Sequence, residues 1–119
     1  MKNQELLTFQ DLTFKSHSSV ADGIHASLDL GKGFLISVVS MKDGEKSFGG
    51  LYGNASEGTY EVAIFHKNEM IPLATYDDVL GWQEEVSITR LMREAQVNGV
   101  SWVKLLKEIS TAEREELCS

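Results

Sequence analysis

Cysteine is nearly absent from this chain. Cys118 stands alone, next to last in 119 residues, so no intramolecular disulfide can form and no thiolate pair can begin a zinc site. That usage fits a reducing cytoplasm. Proline is as scarce, with Pro72 alone. Long apolar runs are missing: "FLISVV", the longest, spans about six residues and includes a serine, against the roughly 20 that a membrane helix needs. The start, "MKNQELLTFQ", has neither an apolar centre nor a small-residue cleavage site, so no secretory signal is expected. Positive charge is also short. There are 11 Lys and Arg against 18 Asp and Glu, a net charge of −7. The basic residues are scattered along the chain, which argues against a phosphate-backbone partner.

What is present suffices for one domain spanning 1–119. A chain of this length buries roughly 65% of its unfolded surface, enough for a core without staples. Its 42% hydrophobic and 24% charged content is ordinary for a globular domain. The first two thirds carries a strand rhythm. In "GIHASLDL" Ile24, Ala26 and Leu28 alternate with His25, Ser27 and Asp29, which predicts a strand with one wet face. Gly31 and Gly33 suit a tight turn into "FLISVVSM" (34–41), apolar on both parities and so central in a sheet. "TYEVAIFH" (59–66) reads the same way. "KNE" predicts a turn, and "MIPL" (70–73) an edge strand, because Pro72 cannot donate to a ladder. Residues 5–15 predict a bent strand.

Near position 80 the rhythm changes. Ile88, Leu91, Met92 and Ala95 follow helical spacing within residues 82–96, and Asn98-Gly99 predicts the stop. Trp102, Leu105, Leu106 and Ile109 repeat the spacing in a second helix, with Ser101 as its expected cap. Residues 110–117 continue it or restart a third. The expected fold is therefore α+β: an antiparallel sheet of four to five strands with two to three C-terminal helices packed on one face. Val86, Val97, Val100 and Val103 fall outside the main stripes. They imply burial against the sheet or a self-association surface, possible homodimer included.

The oddest stretch is "SFGGLYGNASEG". It is no P-loop. It enters a strand rather than a helix, lacks the Gly-Lys-Ser/Thr ending, and its nearest lysine, Lys46, precedes the glycines. Two readings stay open: a plain long connection between strands, or a loop that contacts a partner through Phe48, Leu51, Tyr52 and Asn54. Asp77 and Asp78 predict the start of a helical turn, with Asp77 as its cap. With Glu84 and Glu85 they form an acidic patch. His17, His25 and His66 have no ligand spacing, so no metal site and no cofactor is expected. No nucleophile motif occurs. The second helix offers a DNA groove only Lys104 and Lys107, opposed by Glu108 and Glu113–Glu116.

Four segments carry a family resemblance: "DLGKGFLISVVSM", "GGLYG", "GTYEVAIF" and "YDDVLGWQEEV". Together they resemble a group of small proteins of tailed bacteriophages with no assigned activity. That group carries a Gly-aromatic-x-x-Ser-Val-Val strand, a Tyr-Gly loop, a Tyr-Glu-Val-Ala strand and an Asp-Asp-Val-x-Gly turn. Here these are Gly33 to Val39, Tyr52-Gly53, Thr59 to Ala63 and Asp77 to Gly81. The chain departs from it by the insertion "NASEG" and an added C-terminal helix. The resemblance implies a phage source and an α+β fold. With loop length and charge, it leads to the expectation of a non-enzymatic accessory protein of the host cytoplasm. Such a protein would bind and block a host protein, such as a defence factor. Its partner surface would be Phe48, Leu51, Tyr52, Asn54, Asp77, Asp78, Glu84 and Glu85. The alternative is a nucleotide-sequestering module using Lys46, Gly50, Gly53, Arg90 and Arg93.

Overall fold

The computed structural model describes residues 5–42, 51–74 and 78–118. Among them, six antiparallel strands make one sheet and two α-helices follow. The strands are β1 (Lys15–Ser16), β2 (Gly23–Gly31), β3 (Phe34–Met41), β4 (Thr59–His66), β5 (Glu69–Met70) and β6 (Val79–Glu84). The helices are α1 (Glu85–Val97) and α2 (Gly99–Cys118). The α+β class is as expected, and two of the six strands are only two residues long.

Turn chemistry sets the registers. Lys32 and Gly33 both have positive φ (53° and 86°), the primed two-residue turn whose twist matches a hairpin. It aligns Leu28 with Ile36 and Ala26 with Val38. Lys67 and Asn68, at φ 51° and 70°, make the equivalent turn from β4 to β5. The expected return strand at 70–73 is cut short. Ile71 still donates to the Ile64 carbonyl (2.8 Å), but Pro72 has no N–H to continue with. The freed edge of β4 is taken by β6, which pairs with Thr59–Ala63.

Even-numbered residues of β3 and β4 face the core. Phe34, Ile36, Val38, Val62 and Ile64 are buried there with Ile88 and Met92 of α1 and with Trp102 and Val103 of α2. Helix α1 packs across β2, β3 and β6.

The N-terminal segment corrects the bent-strand expectation. Phe9–Asp11 is a 3-10 turn, capped by Thr8, which accepts from Gln10 N–H while Asp11 accepts from Thr8 N–H. This Thr-x-x-Asp capping pair was visible in the sequence. The segment runs along α1 instead of joining the sheet. Gln96 accepts from Leu7 N–H (2.8 Å) and donates to the Leu7 carbonyl (2.9 Å), and Thr89 Oγ1 accepts from Phe9 N–H (3.1 Å). Its backbone is thus satisfied by helix side chains. Phe9 and Phe14 pack with Tyr60 in an aromatic trio, ring centroids 5.0–5.8 Å apart.

Two further expectations change. Residues 79–84 are a strand, so Asp78 does not open a helical turn, and Trp82 lies in β6 rather than in a helix. Ser101 lies inside α2 and donates its hydroxyl to the Asn98 carbonyl (2.8 Å), so it is no N-cap. The helices meet at Asn98 alone. Gly99 (φ 45°) is the joint, packed on the Phe34 ring.

Candidate functional site

The described limb of the glycine loop, residues 51–58, is pinned at every step. Met41 N–H donates to the Gly53 carbonyl (3.2 Å), wedging the limb between the splayed ends of β3 and β4. Gly53 N–H turns back to the Leu51 carbonyl (2.9 Å). Tyr52 N–H donates to Glu61 Oε1 (2.9 Å), and Asn54 N–H to Thr59 Oγ1 (2.9 Å). Asn54 Oδ1 caps a 3-10 turn over Ala55–Glu57, which Gly58 closes at φ 76°. Gly53 has a steric reason to be glycine. A Cβ there would stand 2.8 Å from Tyr60 Cα and 2.9 Å from Ser40 Oγ.

Beside this limb β6 carries a bulge. Leu80 pairs with Val62 and Gln83 with Tyr60, so Gly81 and Trp82 together oppose Glu61. Trp82 takes φ 57°, a left-handed conformation that a bulky side chain rarely adopts. Its N–H donates to the Tyr52 carbonyl (2.8 Å), locking loop to bulge. Gly81 makes the approach possible, because a Cβ there would fall 2.6 Å from Tyr52 Cβ. The two aromatic side chains stay in solvent, Tyr52 at 57% and Trp82 at 55% exposure. Carboxylates sit on the adjoining elements. Glu61 lies beneath Tyr52, Glu84 pairs with Thr59 at the end of β6, and Glu57 sits on the adjoining turn.

The structure thus brings Tyr52, Asn54 and Glu84 to one end of the sheet, with Leu51 half-buried in the same limb. Asp78 lies at the opposite end of β6, about 20 Å from Glu84 at strand rise. Glu85 turns the other way. It accepts from Gln10 Nε2 (3.2 Å) and, after burial itself, is the second cause that holds the Tyr60 phenol above its ordinary 10.0. Phe48, Asp77, Lys46 and Gly50 lie outside the described residues.

Trp82, Glu61 and Glu57 were missed by sequence reasoning. The signal available was Gly81 inside an apolar, strand-like run, which marks a bulge.

With protein-family models, with curated proteins and with solved structures, the chain shows no match.

Of the residues of the nucleotide alternative, Gly53, Arg90 and Arg93 are described. Gly53 is buried, and the amides of Tyr52, Gly53 and Asn54 are already engaged, one of them by a carboxylate that would repel an anion. Arg90 and Arg93 line a separate cleft of about 320 Å³ with Phe9, Gln10 and Glu85. Elsewhere, an open groove of about 720 Å³ runs beside α2 past His66, Val103, Lys104 and Lys107. Lys107 Nζ lies 3.8 Å from Glu69 Oε1 there, an exposed ion pair worth little. His66 stacks on Phe34 (4.3 Å), and His17 Nδ1 accepts from Ser19 and Val20 N–H. Among the described residues no three His, Cys, Asp or Glu side chains group as metal ligands, and no helix is long and apolar enough to cross a membrane.

Proposed function

We propose that this protein works by binding another protein through the ridge formed by Tyr52 and Trp82. The observation that carries the reading is the conformation of Trp82. A bulky aromatic is held at φ 57°, more than half exposed, with its N–H tied to Tyr52. Such backbone strain costs on the order of 1–3 kcal/mol and clusters at functional sites. An exposed tryptophan and tyrosine on a rigid edge are also what interface hot spots are made of. The carboxylates of Glu57, Glu61 and Glu84 on the adjoining elements favour a partner surface that presents Arg or Lys, and they steer its approach. With the bacteriophage resemblance, the reading is of a non-enzymatic phage accessory protein. It acts in the host cytoplasm by covering a functional surface of a host protein.

Affinity capture from host lysate tests this with the wild-type chain, Tyr52→Ala and Trp82→Ala side by side. One host protein should be held by the wild type and lost by both variants, at unchanged melting temperature. Identical capture by all three would remove the ridge from the account. Tight binding of a nucleotide, or turnover of a metabolite, by the purified chain would overturn the function itself.

A further inference from the structure

The turn between β1 and β2, independent of the Tyr52–Trp82 ridge, is built around one imidazole. His17 N–H donates to the Gly23 carbonyl (2.8 Å), which closes the strand pair. Its ring nitrogen Nδ1 accepts from Ser19 N–H (3.0 Å) and from Val20 N–H (3.1 Å). The ring thus serves the amides two and three residues ahead, as the side-chain oxygen of Asn or Asp does at the start of a turn. Gly23 N–H returns to the Val20 carbonyl (3.0 Å), and a Cβ on Gly23 would stand 3.1 Å from the Cβ atoms of both His17 and Val20. Asp22, at φ 61°, completes the turn, and its carbonyl accepts from Lys42 N–H (2.9 Å) just past β3.

These bonds fix a protonation state. A ring nitrogen that accepts must keep its lone pair, so His17 carries its single proton on Nε2. A second proton can go only to Nδ1. There it turns the acceptor into a donor facing two backbone N–H groups, and both bonds are lost together. No carboxylate is paired with the ring to offset the new charge. The ring of His25 stands edge-on to it, centroids 6.1 Å apart, and Lys15 is the cross-strand partner of His25. On β3 the partner of His25 is Val39, and Glu61 lies one strand further off. Asp22 belongs to the turn itself, yet among the described residues neither histidine makes an ion pair.

Release of this turn stays local. β1 is two residues long and rests on β2 alone. The chain before it is held by other means, Leu7 and Phe9 by Gln96 and Thr89, and Phe14 by the aromatic trio.

We propose that His17 is a pH-operated latch on the edge of the sheet. Neutral, it closes the turn and seats β1 on β2. Protonated, it opens the turn and uncovers the edge of β2 at Ile24 and His25, while the core stays folded. The signal is weak acid, the range in which histidine changes charge.

Nuclear magnetic resonance of the isotope-labelled full chain tests this. At about pH 7.5 the imidazole nitrogen shifts should place the His17 proton on Nε2. Amide exchange at His17, Ser19 and Val20, corrected for its intrinsic rate, should rise at least about tenfold between about pH 7.5 and about pH 5.5. Ile36 and Val38 should not respond. His17→Asn offers the same two amides an oxygen that does not titrate, so the turn should stay protected at both pH values. His17→Ala should leave it open at both, and His25→Gln should keep the wild-type response. A proton found on Nδ1 at the higher pH would sink the proposal. So would a response that survives in His17→Asn or disappears in His25→Gln. Equal loosening of Ile36 and Val38 would also end it, because acid would then be softening the whole sheet.

Discussion

In α1, Ile88, Leu91, Met92 and Ala95 recur every three and four residues; in α2, Trp102, Leu105, Leu106 and Ile109 do the same. Three of the first set are buried and Leu91 is partly buried against them. Of the second, Trp102 is buried, Leu106 is partly covered, and Leu105 and Ile109 stand in solvent. The difference lies in what surrounds each helix. Helix α1 has the sheet beneath it and the N-terminal segment bonded along its flank through Thr89 and Gln96. Helix α2 is buried along one side only, at Trp102, Val103, Leu106 and Ser110, and that side leaves Leu105 and Ile109 outside. A helical stripe announces that something apolar must be covered. It does not announce that the same chain supplies the cover.

Truncations should break or sharpen this contrast. Trp102→Ala, at the root of α2, should cost about 3–5 kcal/mol, and Met92→Ala in α1 about 2–5 kcal/mol, from lost burial plus the cavity left behind. Leu105→Ala should stay within about 0.5 kcal/mol. Urea unfolding measures all three, and a Leu105→Ala cost equal to that of Met92→Ala would mean that α2 is packed as α1 is. A middle-sized effect is expected from Gln96→Ala. It strips partners from both the N–H and the carbonyl of Leu7, for about 1–2 kcal/mol. If stability did not change, the N-terminal clamp would not be what distinguishes α1.

The smallest effect is confined to alkaline pH. Tyr60 packs on Phe9 beside the start of α1, where burial and then Glu85 raise its pKa above 10.0. A raised folded pKa means that the native state holds the proton longer than the unfolded chain does. This contribution is complete below pH 10 and declines as pH climbs through the folded value. Phenolate absorbance of the wild type minus that of Tyr60→Phe should titrate above 10.0, and Glu85→Gln should draw the midpoint down. A midpoint at or below 10.0 would contradict the packing described around the trio.

Much of the architecture was legible. The β2–β3 hairpin and β4 follow from parity and turn residues: alternation puts Ile36 and Val38 on one side, and Lys32-Gly33 supplies the primed turn. The helical period from Ile88 onward was as plain. Residues 5–15 misled because Leu7, Phe9, Leu12 and Phe14 fit a bent strand as well as a capped turn, and only the side chains of Thr89 and Gln96 decide between them. Trp82 misled for a related reason. Glu84 and Glu85 suit a helix start, so the helix was extended back through Trp82, whereas the free edge of β4 recruits residues 79–84 into the sheet. Of the candidate site, Tyr52, Asn54 and Glu84 converge, while Asp78 and Glu85 were grouped with them only because they are near in sequence.

The sequence by itself determined which side chains share a face and where strand period yields to helix period, because those depend on covalent geometry over a few residues. The tertiary structure alone decided that Trp82 bulges out beside Tyr52 and that Leu105 and Ile109 are left uncovered. Those outcomes depend on which distant segments arrive alongside, and no local pattern encodes an arrival.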